Sequence, residues 1–337
     1  MTDILTHAAA TPGTDLLRLD AVSKRFSRHV DLAGRLARRL GARISDRTVH
    51  AVDGVTLGIA RGEVVGLVGE SGCGKSTLGR IAAGIHAPTE GRVLWNGSDA
   101  AVLREARLRV QMVFQDPMSS LNPRHRIDRV IGEAPRVHGL IAARDADAFV
   151  AGLLEKVGLD PAYRTRYPHQ FSGGQRQRIA IARALAVNPE LIVCDEAVSA
   201  LDVSVQAQVL NLFADLRAEM GLTYLFISHD LGVVEHIADR VVIMYLGRVV
   251  EAAPTADLYA RPLHPYAEAL LSEVPRLTTG KRRYQPIKGE IPSPLDPPSG
   301  CHFHPRCPRA TALCSAERPA LRQIAPGRTV ACHHADA

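Results

Sequence analysis

Apolar and polar residues alternate along residues 16–22 and again along 52–59, the period-two pattern of half-buried strands. Between them a basic segment, residues 27–49, breaks the pattern. Residues 63–69 (EVVGLVG) and 191–195 (LIVCD) are near-continuous apolar runs, which suits strands buried on both faces of a parallel sheet. Residues 223–228 (TYLFIS) and 240–245 (RVVIMY) predict two more strands, and 91–95 a short one. Helical spacing covers 75–85, 175–187 and 205–220. Residues 125–165 are rich in Ala, Arg, Leu and Asp without a strand signal and predict a mostly helical subdomain. Strands alternating with helices predict an α/β domain with a mainly parallel sheet.

Length and composition set the organisation. The chain has 337 residues, enough for two domains of roughly 100–200 residues each. Twelve of the 21 prolines fall within residues 261–337, which predicts a separate, loop-rich C-terminal domain there. The expected division is a disordered N-terminus over 1–14, a main domain over 15–260 with its helical subdomain at about 116–180, and the C-terminal domain over 261–337. Hydrophobic residues at 46% exclude whole-chain disorder. Aromatics at 4% predict an aliphatic core and count against a nucleic-acid reader built on stacked rings.

The longest stretch without a charge, residues 203–214, falls short of the roughly 18 apolar residues that a spanning helix needs. The opening MTDILTHAAATPGTD lacks the basic start and apolar stretch of a secretory signal. A soluble cytoplasmic chain is the expectation. The net charge is +6, and the segment 24–47, with eight basic and two acidic residues, carries a local +6 of its own. The excess is thus concentrated in one segment, as a solvated insertion, rather than spread as a DNA-binding face.

Residues 69–77 read GESGCGKST and fit the phosphate-loop pattern G-x-x-x-x-G-K-[ST] without mismatch. Gly69, Gly72 and Gly74 let the backbone bend so that the N–H groups of the run, those of Glu70, Ser71, Cys73 and Thr77 among them, face an anion. The helix that follows adds its positive dipole end. Lys75 is expected to reach the β- and γ-phosphates of ATP as a point charge, and Ser76 to offer its hydroxyl to Mg²⁺. The context, a buried strand before and a helix after, is the one the motif requires.

The strand 191–195 ends in Asp195, which would place a carboxylate beside the triphosphate for Mg²⁺. Glu196 follows as the candidate base for the attacking water. Residues 171–178 read FSGGQRQR before an alanine-rich helix, a second anion cradle by the same helix-terminus logic.

These motifs, in this order, resemble those of the ATP-binding-cassette ATPases. The resemblance implies a P-loop α/β core with a helical subdomain, and a head-to-tail dimer in which Ser172, Gly173, Gly174 and Gln175 close over ATP held by the opposing subunit. It also implies that Gln115 (in QMVFQDP) joins the core to the helical subdomain and senses metal and γ-phosphate. Asp202 (in SALD) would cross the dimer interface. His229 (in FISHD) would contact the γ-phosphate and hold Glu196 in register, and Phe26 (in KRF) would lie against adenine.

The resemblance extends from about residue 16 to 333. LNPR at 121–124, HPYAEALL at 264–271 and GEIPSPLDPPSGCHFHPRCP at 289–308 are similar to segments of the ATPase subunits of oligopeptide and dipeptide importers, and the chain resembles the second of their two ATPase chains. The implied partners are a second ATPase in a heterodimer, two membrane permeases and an extracytoplasmic substrate-binding protein, with the chain peripheral on the cytoplasmic face of the membrane and no nucleic acid bound. Importers of nickel chelates or glutathione-like cargo remain as alternatives. A soluble cassette ATPase acting on nucleic acid or ribosomes is disfavoured, because the chain has one phosphate loop and no long coiled coil.

Cys301, Cys307, Cys314 and Cys332 are spaced C-x₅-C-x₆-C-x₁₇-C. Four thiolates suit tetrahedral Zn²⁺ or an iron–sulfur cluster, although the C-x₂-C pairs of zinc ribbons are absent. Some members of the peptide-importer branch carry a [4Fe–4S] cluster in the segment that this one resembles. Iron–sulfur, zinc and reduced structural thiols all stay open at this point.

Overall fold

The computed structural model describes residues 15–28, 47–100, 106–274, 287 and 289–335. The expected disordered N-terminus, and residues 29–46 of the basic segment, lie outside them. The strands are β1 (Leu17–Arg28), β2 (Arg47–Ile59), β3 (Val64–Val68), β4 (Glu90–Trp95), β5 (Ser98–Asp99), β6 (Val110–Val113), β7 (Leu191–Asp195), β8 (Thr223–Ile227), β9 (Arg240–Tyr245), β10 (Arg248–Pro254), β11 (Arg322–Ala325) and β12 (Arg328–Val330). The helices used below are α1 (Lys75–Ala82), α2 (Ile127–Val137), α3 (Ala146–Lys156), α4 (Gly173–Leu185), α5 (Val203–Met220), α6 (Leu231–Ile237), α7 (Thr255–Ala260) and α8 (Pro265–Ser272).

The main sheet runs β11–β12–β10–β9–β3–β8–β7–β6. Its strands from β9 to β6 are parallel, with Val64 opposite Tyr224 and Val113 opposite Cys194. β3, β7 and β8 are buried on both faces, which is why these segments read as near-continuous apolar runs. Alternate side chains feed two cores. Val65, Leu67, Val193 and Leu225 meet Leu78 and Ile81 of α1 and the inner face of the antiparallel sheet β2–β1–β4–β5. Val64, Ile192, Tyr224 and Phe226 meet Ile179 of α4 and Phe213 of α5. α2, α3 and α4 pack on one another, with Ile131, Leu154 and Ile179 all at 0% exposure.

Two elements escape a reading of polarity. β10 carries Glu251 in mid-strand, yet this glutamate is fully buried. Arg328 pairs with it at 2.9 Å, and the backbone N–H groups of Leu263 and His264 donate to it, so the partners that neutralise it come from elsewhere in the chain. β12 then pairs antiparallel with β10, aided by Ala331 N–H donating to the Val250 carbonyl at 2.8 Å. The proline-dense C-terminal region therefore extends the main sheet, and its Tyr266 and Phe303 lie in the main core. α6 is short, and its start is fixed by Asp230, whose side chain accepts from the N–H groups of Gly232 and Val233.

Candidate functional site

β3 ends where residues 69–74 fold back over the N-terminus of α1. Gly74 sits there at φ +105°, and a Cβ on it would lie 2.1 Å from the Ala51 carbonyl oxygen. Only glycine satisfies both conditions, so this residue lets β2 close against the loop. Beside it lies a cavity of about 300 Å³ lined by Phe26, Ser71, Gly72, Gly74, Lys75, Ser76, Thr77 and Glu196, with Val49, Ala51 and Pro294. Residues separated by up to 268 positions thus meet around one concave surface headed by a helix N-terminus, the arrangement that binds phosphate.

Lys75 is 4% exposed, and its ammonium donates to the carbonyls of Gly69 (2.6 Å) and Glu70 (3.0 Å). Ser76 Oγ donates to Asp195 Oδ1 at 2.7 Å. Burial raises the Asp195 carboxyl above its ordinary pKa, against the lowering effects of the Ser76 hydrogen bond and the Arg80 charge. A hydroxyl and a carboxylate oxygen at the mouth of a phosphate loop form an all-oxygen donor set, which fits a hard cation such as Mg²⁺.

Glu196 follows β7 in the left-handed region, at φ +51°. This is costly for a residue with a Cβ and recurs at functional positions. Its N–H donates to Ile227 at the end of β8, which fixes the turn. His229 Nδ1 lies 3.4 Å from Glu196 Oε1. Gln115 Nε2 donates to Ser199 Oγ at 3.3 Å, and Ser199 Oγ donates to the Glu196 carbonyl at 2.9 Å. Gln115, Glu196 and His229 are therefore linked through short polar contacts, with Ser199 as the unforeseen middle member. Phe26 is 41% exposed, its ring edge-on to His86 at 5.8 Å between centroids and 5.3 Å from the Lys24 ammonium. An exposed ring face at the rim of the cavity suits stacking against a base. Cys73 is buried beneath the loop, and that burial raises its thiol pKa.

The second cradle lies apart from this cavity: none of Ser172, Gly173, Gly174, Gln175 or Asp202 lines it. Ser172 caps α4, accepting from Gln175 N–H while Gln175 Oε1 accepts from Ser172 N–H, a reciprocal box that squares the helix end to solvent. A Cβ at Gly174 would approach Val205 Cγ1 to 2.4 Å, so α4 presses directly on the first turns of α5. Asp202 is the N-cap residue of α5. The two segments are thus neighbours on one face.

The four C-terminal cysteines are free thiols. Cys314 Sγ lies 3.5 Å from His334 Nε2 and 3.4 Å from Thr311 Oγ1, and Cys332 Sγ accepts from His334 N–H at 3.4 Å. Burial pushes Cys301, Cys307 and Cys332 toward the protonated form, and neighbouring cysteines push the same way. Among the described residues no group of three or more His, Cys, Asp or Glu is arranged to hold a metal ion. The expected four-thiolate site for iron–sulfur or zinc is therefore not supported, and Cys314 is engaged by Thr311 and His334.

Three residues of the C-terminal region reach the phosphate loop or its cavity. Pro294 lines the cavity, and its carbonyl accepts from His50 N–H at 3.0 Å. Tyr266 and Arg306 bind Glu70. All three fall in the HPYAEALL and GEIPSPLDPPSGCHFHPRCP segments, where the sequence marks a resemblance but gives no role. The signal was present without a geometry to read it by.

The family described as "ABC transporter" matches residues 52–199, and "Oligopeptide/dipeptide transporter, C-terminal region" matches residues 250–314. The chain is 53% identical over 294 residues to the oligopeptide transport ATP-binding protein AppF of Bacillus subtilis, covering 85% of this chain and 89% of that one. It is 50% identical over 294 residues to the dipeptide transport ATP-binding protein DppF of Haemophilus influenzae, covering 86% and 90%. Among solved structures, cbiO1 from Clostridium perfringens aligns with a TM-score of 0.60 at 25% identity, covering 74% of this chain and 92% of that one. The ATP-binding cassette MJ0796, a dimer bound to ADP and Pi, aligns with a TM-score of 0.60 at 27% identity, covering 71% and 98%.

Proposed function

This chain belongs to the ATP-binding-cassette transporter family, and from that premise we propose that it is the ATP-binding and ATP-hydrolysing subunit that energises an importer of oligopeptides or dipeptides. The observation that carries this reading is the convergence of Phe26, Lys75, Ser76 and Glu196 on one cavity, with Asp195 hydrogen-bonded to Ser76 and His229 against Glu196.

Phe26 takes the adenine ring on its exposed face. The backbone N–H groups at the N-terminus of α1 and the Lys75 ammonium hold the phosphate oxygens, and the helix terminus adds its partial positive charge. Ser76 and Asp195, with Gln115, would hold Mg²⁺, which would supply neutralisation of phosphate charge. Glu196 accepts the proton of the attacking water as its oxygen bonds to the γ-phosphorus, while the bond from that phosphorus to the β–γ bridging oxygen breaks and ADP leaves. His229 keeps that carboxylate aimed at the water and donates to the γ-phosphate.

The exposed face formed by Ser172, Gly173, Gly174, Gln175 and Asp202 completes the site on the opposing cassette, which belongs to a second ATPase chain. ATP closes the pair; hydrolysis and product release open it. The Gln115 linkage passes this motion to the helical subdomain, and from there to two permease subunits that receive peptide from an extracytoplasmic binding protein. Among the described residues no helix is long and apolar enough to cross a membrane, so the permeation path is assigned to the permeases and the chain to the cytoplasmic face beside them.

Reconstitution with the partner ATPase and permeases in proteoliposomes tests the reading. Peptide uptake is expected to require ATP and to stop with Lys75→Ala. ATP hydrolysis that persists in Lys75→Ala, or an assembly that moves no peptide, would overturn it.

A further inference from the structure

The C-terminal region grips one residue of the phosphate loop at two points. Arg306 spans the Glu70 carboxylate with two hydrogen bonds, Nη1 to Oε2 at 2.7 Å and Nη2 to Oε1 at 3.0 Å. Tyr266 Oη accepts from the Glu70 backbone N–H at 2.8 Å. On its third side the Glu70 carbonyl accepts from the Lys75 ammonium. Glu70 is therefore held at its side chain and N–H by the C-terminal region, while its carbonyl steadies the lysine that meets the phosphates.

Both holding residues are themselves fixed. The Arg306 side chain is 5% exposed and Tyr266 is fully buried. Phe303 packs against Tyr245 and Tyr266, with ring centroids 5.2 and 5.3 Å apart. Arg306 Nη1 also reaches the Tyr245 hydroxyl at 3.4 Å. Tyr266 lies in the first turn of α8, where its N–H is capped by His264 Nδ1 at 3.0 Å. A buried two-point guanidinium–carboxylate fork fixes orientation as well as distance, and it acts on the second residue of the loop that shapes the anion cradle.

A plain staple between two parts of the fold would also produce a buried ion pair, and the molecule contains one for comparison. Arg328 pairs with the fully buried Glu251 at 2.9 Å. That pair ties the C-terminal region to β10, and neither partner belongs to the phosphate loop. The Arg306 pair differs because its carboxylate belongs to the residue whose carbonyl anchors Lys75.

Building on the ATPase reading above, we propose that Arg306, assisted by Tyr266, is a positioning residue for ATP: it sets the shape of the phosphate loop through Glu70, so the C-terminal region tunes nucleotide affinity.

The test uses the full chain and measures MgATP affinity by isothermal titration, with the nucleotide-free melting temperature alongside. Arg306→Gln and Tyr266→Phe are expected to weaken MgATP binding about 10–100-fold, the usual cost of losing a group that orients a binding group. Arg306→Lys, which keeps the charge but not the fork, is expected to recover part of the loss. Arg328→Gln, the control, is expected to lower the melting temperature while leaving MgATP affinity at the wild-type level. Wild-type affinity in Arg306→Gln, or equal losses in Arg306→Gln and Arg328→Gln, would overturn the proposal. Should Arg306→Gln not be recovered folded, Tyr266→Phe decides by the same comparison. A wild-type chain that binds no MgATP would instead overturn the ATPase reading.

Discussion

Ser76 Oγ and Asp195 Oδ1 are joined by a 2.7 Å hydrogen bond that ties the first turn of α1 to the end of β7. Asp195 is only 6% exposed, and burial raises its carboxyl pKa. A raised native pKa means the folded state holds its proton more tightly than the unfolded chain does. The associated stability is present below the ordinary carboxylate pKa and is lost as pH rises through the raised value. Asp195→Asn, which keeps an acceptor for Ser76, is therefore expected to melt above wild type without nucleotide at about pH 7. The gap should close as the pH falls toward the raised pKa. Turnover in the same variant should fall at least about tenfold. Differential scanning fluorimetry across pH, paired with phosphate release, reads both, and an equal melting temperature at every pH would count against the buried charge.

Glu196 and His229 form the next expectation. Glu196→Gln removes the proton acceptor but keeps the shape of the side chain. Phosphate release should drop about 10²–10⁴-fold, while ATP binding persists and the closed pair with the partner ATPase accumulates in sedimentation. Turnover equal to wild type would place the base elsewhere.

His264 gives a pH signature of the opposite sign. Burial lowers its pKa from 6.5 to about 3, because its ring is enclosed; its Nδ1 accepts from the Tyr266 N–H at the start of α8. A depressed native pKa contributes stability that is present above pH 6.5 and lost as pH falls toward the native value. Such a group removes about 1.4 kcal/mol per pH unit across that window. His264→Asn, which retains a capping acceptor, is expected to flatten the acid side of the stability curve measured by urea denaturation. An unchanged slope between pH 6 and about 4 would argue that the ring is accessible to protons.

The contact between α4 and α5 is tested at Gly174. A methyl group there would press on Val205 Cγ1, 2.4 Å from the added carbon. Gly174→Ala should destabilise by about 1–3 kcal/mol, the usual cost of overpacking. Adding Val205→Ala should return most of that loss, as neighbouring substitutions are coupled. Independent, additive effects in urea midpoints would mean that the helices separate freely.

Much of this architecture was legible in the residues themselves. The runs at 64–68, 191–194, 224–227 and 241–245 are apolar throughout because both faces of the sheet are covered, and continuous apolarity is a signal that needs no partner to be read. The phosphate loop was legible for a similar reason: its function lies in local backbone shape. β10 was hidden because Glu251 reads as surface until Arg328, 77 positions later, is placed beside it. Ser199, Tyr266 and Arg306 were hidden likewise. Each acts through a partner distant in sequence, and neither periodicity nor spacing reports such pairs. β1 runs to Arg28, past the alternating stretch, because β2 continues to face it as far as Arg47.

The closing of the main sheet by its last strands bears on how this gene can be cut. A fragment ending near residue 260, where composition suggests a natural border, would strip β12 from β10 and leave a bare row of amide and carbonyl groups open to any passing strand. It would also strand Glu251 without its counter-ion. Such a truncated motor should clump on expression, whereas one cut after residue 335 should stay dispersed.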